Sequence, residues 1–321
     1  MGTAVIEIAT VLMALACLVT IKRIPKPSGS LVLYALLVLS SVRVWRDGIE
    51  VLGKIWLFAP LLFLPPLLDC LSEKERENSL FLASVGLAFL SLLGVLQWAQ
   101  GGVGHGIYSH HLSFGYMLLM PLSYTAFKGQ WALSGLILAG ILSTEAQGPI
   151  FSSVCILFCL WFPPKRVLLF SVLVMCGLFM LLKESPEFQE RLQLWGSALS
   201  LLQDYPMGTG VSRFRELYTI AQSQQVPQLY FPLHAHDSYL QQALWFGIPI
   251  WVAWGMFLRE WWGWSQWGQA MMIGVFLGAF TEDTLGDMEI LRVFLVFGCF
   301  AAIESNEAER EGLQTPLEQA G

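Results

Sequence analysis

SLFLASVGLAFLSLLGVLQ, residues 79–97, runs for nineteen positions without a charged side chain. At about 1.5 Å per residue a helix of this length covers about 28 Å, close to the ~30 Å hydrocarbon core of a bilayer. A strand is a poor reading, because backbone facing lipid must satisfy its own hydrogen bonds. Similar apolar runs recur along the chain. Together they predict about eleven membrane helices, over roughly 3–21, 30–46, 54–70, 79–97, 111–127, 131–145, 148–163, 166–182, 237–258, 264–281 and 288–304. The expected fold is therefore all-α, a polytopic helical membrane protein.

Composition agrees. The 321 residues are 55% hydrophobic and 13% charged, with a mean hydropathy of +0.59. A soluble domain carries about 25% charged residues. Such a chain has no room for a separate soluble domain, so residues 1–321 read as one integral membrane domain. Within it lie a long polar loop, 183–236, and a polar tail, 305–321. Met1–Thr10 has no basic segment and holds Glu7, so 3–21 reads as a membrane helix and not as a signal peptide. The net charge of −6 owes much to the tail, and no basic patch points to nucleic acid. All six cysteines lie in or beside apolar runs, which argues against a disulfide framework. None joins histidines at zinc spacing.

Lysine and arginine in short loops set the orientation. Lys22, Arg23, Lys26, Lys74, Arg76, Lys128, Lys165, Arg166 and Arg259 fall in alternate connections, which assigns those connections to the cytoplasm. The tail is then cytoplasmic. The external side receives Gly101–His111, the Glu145–Gly148 turn, the long loop and Thr281–Glu289. Polar chemistry gathered on one face fits an enzyme or receptor better than a transporter, which more often holds ionisable groups near mid-membrane.

Several stretches on that face can carry chemistry. Gly-Gly-Val-Gly-His-Gly-Ile-Tyr-Ser-His-His, 101–111, joins glycines that let backbone approach a ligand with His105, His110 and His111. Ser143–Pro149, with Gln147, reads as a turn. In the long loop, Phe188, Leu192, Trp195, Leu199 and Leu202 recur at helical spacing, which predicts an amphipathic helix over 187–202. Arg191 sits one turn before Trp195. A glycine turn, 203–211, follows, and then Arg213 and Arg215. Guanidinium groups near such a turn suit phosphate oxygens, although a lone surface arginine is more often only solvated. His234 and His236 stand at the start of the next apolar run, where imidazoles can do proton chemistry. Asp237 reads as a helix cap. Glu282, Asp283, Asp287 and Glu289 form a wet or ligand-binding connection, with Asp287 a second cap candidate.

Arg191-x-x-x-Trp195, Asp204-x-Pro206-x-Gly208-x-Gly210 and His234-x-His236-Asp237-x-Tyr239-Leu240-Gln241 followed by Gly247 resemble the O-antigen ligase and polymerase superfamily. Gly106–Gly115, Thr281-Glu282 and Gly286-Asp287-x-Glu289 extend the resemblance over roughly 80–300. It implies a multi-pass glycosyltransferase of the bacterial inner membrane with its active site on the periplasmic side. The implied donor is a glycan on undecaprenyl diphosphate. The implied acceptor is a sugar hydroxyl of lipid A–core for a ligase, or of another lipid-linked glycan for a polymerase. No cofactor or metal is implied. His236 takes the place of the general base, with His234 its neighbour. Arg191 takes that of the diphosphate ligand, with Arg213, Arg215, Gln147, His110, His111, Glu282 and Asp287 as further substrate contacts. Two departures stand out. Gln147 occupies the place of a family arginine and brings no charge. Asp237 replaces the usual asparagine. The alternative of another class is a transporter or flippase of lipid-linked glycan, but the chain shows neither internal repeats nor mid-membrane charges.

Overall fold

The computed structural model describes residues 68, 70–108, 110–182, 184–225, 235–261, 263–280, 290–291 and 293–304. Among them there is no strand. The helices are α1 (Glu73–Ala99), α2 (His111–Met117), α3 (Leu119–Phe127), α4 (Trp131–Ser143), α5 (Gln147–Phe158), α6 (Pro164–Leu182), α7 (Pro186–Asp204), α8 (Val211–Gln225), α9 (Ser238–Phe246), α10 (Ile250–Trp261), α11 (Gln266–Ala279) and α12 (Val293–Glu304). The expected helices 3–21, 30–46 and 54–70 lie outside the described residues, apart from the end of the third, and so does the tail 305–321. Among those described, α1 alone is long and apolar enough to cross a bilayer unaided.

α1 begins in a capping box: the Ser72 N–H donates to Glu75 Oε2 at 2.8 Å, and Glu75 N–H donates back to Ser72 Oγ at 3.4 Å. Its inward stripe is Leu80, Ser84, Ala88, Ser91 and Gly94, mostly small. These let α4 come close enough that a Cβ on Gly140 would lie 2.5 Å from Ser91 Cβ. Small residues at the seam and large ones outside (Phe81, Leu82, Val85, Phe89 are exposed) are the pattern of a lipid-facing helix.

Two expected spans are broken. The 111–127 run divides at Leu118. Pro121 has no N–H for the Met117 carbonyl, and its ring crowds that group, so the break falls one turn before it. The 237–258 run divides at Gly247-Ile248-Pro249: α9 stops after nine residues and α10 starts afresh. Gly247 takes φ 91, a left-handed value, and Pro249 disfavours helix at the residue before it.

The bundle has two distinct ends. At one, Lys128 at the close of α3 meets Glu77 of α1 at 3.2 Å and Glu304 of α12 at 3.0 Å. Trp267 of α11 donates to Glu304, and its own carbonyl accepts from Ser123. Gln266 donates to the carbonyl of Cys159, just past α5, at 3.1 Å. At the other end, Trp98 at the close of α1 bonds Glu145 between α4 and α5. Tyr239 of α9 donates to the Phe276 carbonyl of α11 at 3.1 Å and packs on Phe280 with ring centres 4.7 Å apart. The start of α5, the close of α11 and the start of α9 therefore share one end. α11 runs between the two ends almost wholly buried, and Gly274 and Gly278 let Ile156 and Tyr116 lie against it.

Candidate functional site

His236 adopts φ 50, a left-handed backbone that a side chain with a Cβ enters at a cost of about 1–2 kcal/mol. Both neighbours are pinned. The buried Ala235 N–H donates to Gln241 Oε1 at 2.8 Å. Asp237 caps α9, its Oδ1 accepting from Leu240 N–H at 2.8 Å. Held from both sides, the half-buried His236 turns out of the line of the helix at the polar end of the bundle. Burial pushes the Asp237 carboxyl up to about 6, against the lowering effect of its hydrogen bonds to Leu240 and Tyr239.

The other end of α9 is closed by the glycine turn. Thr209 N–H donates to the Leu244 carbonyl at 2.7 Å, and Gly210 N–H to that of Trp245 at 3.1 Å. Ile248 N–H returns to the Pro206 carbonyl at 2.9 Å. A Cβ on Gly208 would lie 2.6 Å from the Gly247 nitrogen, and one on Gly247 would lie 2.7 Å from Met207 Cα. Thr209 and Gly210 thus turn their N–H groups onto carbonyls that α9 leaves open. The Asp204–Gly210 motif is a clasp between two backbones, and phosphate binding near it must come from side chains.

α7 confirms the amphipathic helix but turns a different face inward. Leu194, Ser197, Ala198, Leu201 and Leu202 are buried, while Leu199 is 46% exposed. Small Ser197 and Ala198 let α8 and α9 approach, and that closeness selects the face. α8 is a second helix in the long loop, over a part to which no element was assigned from the sequence. Its signal is the spacing of Phe214, Leu217, Tyr218 and Ala221. Phe214 meets Trp245 edge-on at 6.2 Å, and Tyr218 donates to the Leu194 carbonyl at 3.2 Å.

Arg191 lies half-buried on α7 and already engages other groups. Arg213 and Arg215 flank the buried Phe214, so both are exposed on α8. Gln147 is exposed at the first position of α5. His110 caps α2 without a side-chain bond and stacks on His111 with ring centres 5.0 Å apart. His236, Gln147, His110 and His111 are therefore gathered at one end of the bundle. His234, Glu282 and Asp287 lie outside the described residues. Among the described residues no three His, Cys, Asp or Glu side chains converge to hold a metal ion.

The 101–108 loop is not slack. Gln97 accepts from the N–H groups of His105 and Gly106, both at 2.9 Å, and donates to the Gly106 carbonyl at 2.8 Å. Gly104 N–H donates to the Ser143 carbonyl at 2.9 Å. Its glycines answer to close approach: a Cβ on Gly104 would fall 2.8 Å from the Gly94 carbonyl oxygen.

The described residues form an all-helical bundle in which one helix, α1, is long and apolar enough to cross a bilayer, and His236 lies at one of the bundle's two ends. Residues 132–255 match the model of the O-antigen ligase family, Wzy_C. That match covers less than half of the chain and is a likeness of this segment to the O-antigen ligase family, in line with the motifs from Arg191 to Gly247. No curated protein matches the chain.

Proposed function

We propose that the chain is a glycosyltransferase of the periplasmic face of a bacterial inner membrane. In this reading it moves a glycan from undecaprenyl diphosphate to a sugar hydroxyl of lipid A–core. The observation that carries it is His236: an imidazole held in a left-handed backbone between two anchored neighbours, inside the family-matched segment. Strain maintained at a polar side chain is a pointer to use.

The acceptor oxygen attacks the anomeric carbon as the bond from that carbon to the diphosphate oxygen breaks. The hydroxyl proton passes to His236, and undecaprenyl diphosphate leaves with the bonding pair. Negative charge grows on the leaving group, and in this reading Arg191, with Arg213 or Arg215, answers it. No metal takes part in this scheme. Gln147 contributes hydrogen bonds only.

The test is a surface-glycan gel of a deletion strain complemented with wild type or His236→Ala. Core lipid stripped of long chains, restored by wild type but not by the variant, is the expected result. Core that keeps one repeat but loses its ladder assigns the polymerase reaction instead. Near-normal transfer by His236→Ala, with the protein present in the membrane, overturns the role of the base.

A further inference from the structure

Trp98 and Glu145 have no part in the scheme above, yet they form an exposed, hydrogen-bonded pair at the polar end. The Trp98 indole N–H donates to Glu145 Oε1 at 2.9 Å across 47 residues of sequence. Trp98 is 51% exposed. Glu145 takes φ 53, the second left-handed residue other than glycine among those described, so backbone strain is accepted to aim a carboxylate. Next to it, the Gln97 clamp holds the 101–108 loop in place.

An indole of an interfacial belt keeps its polar edge towards the wet headgroups. Here the donor is used inside the protein, while about half of the residue stays exposed. Neither residues 97–108 nor residues 141–149 contain lysine or arginine. Within these two segments the one formal charge offered to an anionic group, whether a lipid phosphate or a diphosphate, is the negative charge of Glu145. A neutral hydroxyl-rich ring fits instead. A pyranose offers positively polarised C–H groups to the negative face of an aromatic ring. Its neighbouring hydroxyls can donate to the carboxylate oxygen that Trp98 does not use.

We infer that Trp98 and Glu145 form a platform for one sugar ring of the transferred or accepting glycan. This rests on the proposed transferase reading, because the platform shares the polar end with His236. The site takes saccharide and leaves the diphosphate to the arginines of α7 and α8.

The experiment uses the full chain in nanodiscs and two soluble probes. One is core oligosaccharide freed of lipid A by mild acid, and the other is repeat-unit oligosaccharide freed of its lipid diphosphate. Saturation-transfer NMR reads binding, and transfer kinetics are measured in parallel. Glu145→Gln keeps an oxygen for the indole and removes the charge; Trp98→Ala removes the ring. Both variants are expected to weaken one probe by about tenfold or more, and to raise KM for the matching substrate while kcat stays within about twofold. Which probe is affected assigns the platform to acceptor or donor. Unchanged affinity in both variants overturns the platform, as does an active wild type that binds neither probe. An unaltered surface glycan in the deletion strain is a separate result that removes the parent reading.

Discussion

Replacing Asp237 by asparagine separates the capping role of this residue from its charge. The carboxyl is buried, and its pKa rises from 3.8 to about 6 because burial penalises the ionised form. A tenfold change in an ionisation constant corresponds to about 1.4 kcal/mol, so the folded state loses up to about 3 kcal/mol once the carboxyl ionises. The sign follows from proton uptake. Between the unfolded and folded pKa values the folded chain binds more protons, so stability falls as pH rises through that window. Asn caps as well as Asp and does not titrate. Asp237→Asn should therefore match wild type near pH 4 and exceed it by up to about 3 kcal/mol at neutral pH. For a chain of this size that is a rise of roughly 4–5 °C in Tm. Unfolding scans in detergent at a series of pH values read it directly. A variant no more stable than wild type at neutral pH, or a difference that shrinks as pH rises, would refute the reasoning.

His236→Gly should be more stable than His236→Ala by about 1 kcal/mol, since glycine enters the left-handed region freely; denaturant midpoints compare the two. Gly208→Ala should force the clasp apart, because its Cβ would lie 2.6 Å from both the Gly247 nitrogen and the Trp245 carbonyl oxygen. A loss of about 3 kcal/mol or more is expected, read as a lower Tm and faster proteolysis between α7 and α9. Lys128→Met should cost only about 1 kcal/mol, since its ion pairs with Glu77 and Glu304 are partly exposed. Burial pulls Lys128 down, but Glu304 and Glu77 outweigh it and leave it above its ordinary 10.5. The difference from wild type should thus persist at neutral pH and close only in strong alkali, as Tm scans across pH will show.

What the sequence revealed depended on how local the physics was. α1, α4 and α5 follow from apolar runs and come out near their expected bounds. The breaks at Leu118 and Gly247 had signals in Pro121 and Gly247-Ile-Pro249, but continuous hydrophobicity hid them. α8 carried its apolar spacing inside a segment polar enough to pass for loop. The inner face of α7 differs from the expected one because burial went to the small residues Ser197 and Ala198, which only a packing partner can select. The left-handed backbones of His236 and Glu145 were not legible: glutamate has no leaning to positive φ, and the modest leaning of histidine does not single out one position. Contacts such as Trp98 with Glu145, or Gly208 with Gly247, join residues about forty or more positions apart and belong to the fold alone.

The clasp explains why a histidine can stand where His236 does. As one helix over 237–258, the run would have reached about 30 Å and been held only by its fit to the bilayer. The observed α9 has nine residues, about 13 Å, too short to cross anything. A helix that short leaves unpaired N–H groups at one end and unpaired carbonyls at the other, and apolar surroundings tolerate neither. Asp237 satisfies the first end, and Thr209 and Gly210 answer the carbonyls of Leu244 and Trp245 at the second. With both ends fixed, α9 cannot slide along its axis, so the position of His236 relative to the bundle end is set from below by Gly208 and Gly247. The motif glycines accordingly act on the candidate base through backbone contact, about 15 Å along the helix from it. A change in the clasp should reach His236 as a change of position, without any loss of a contact to substrate.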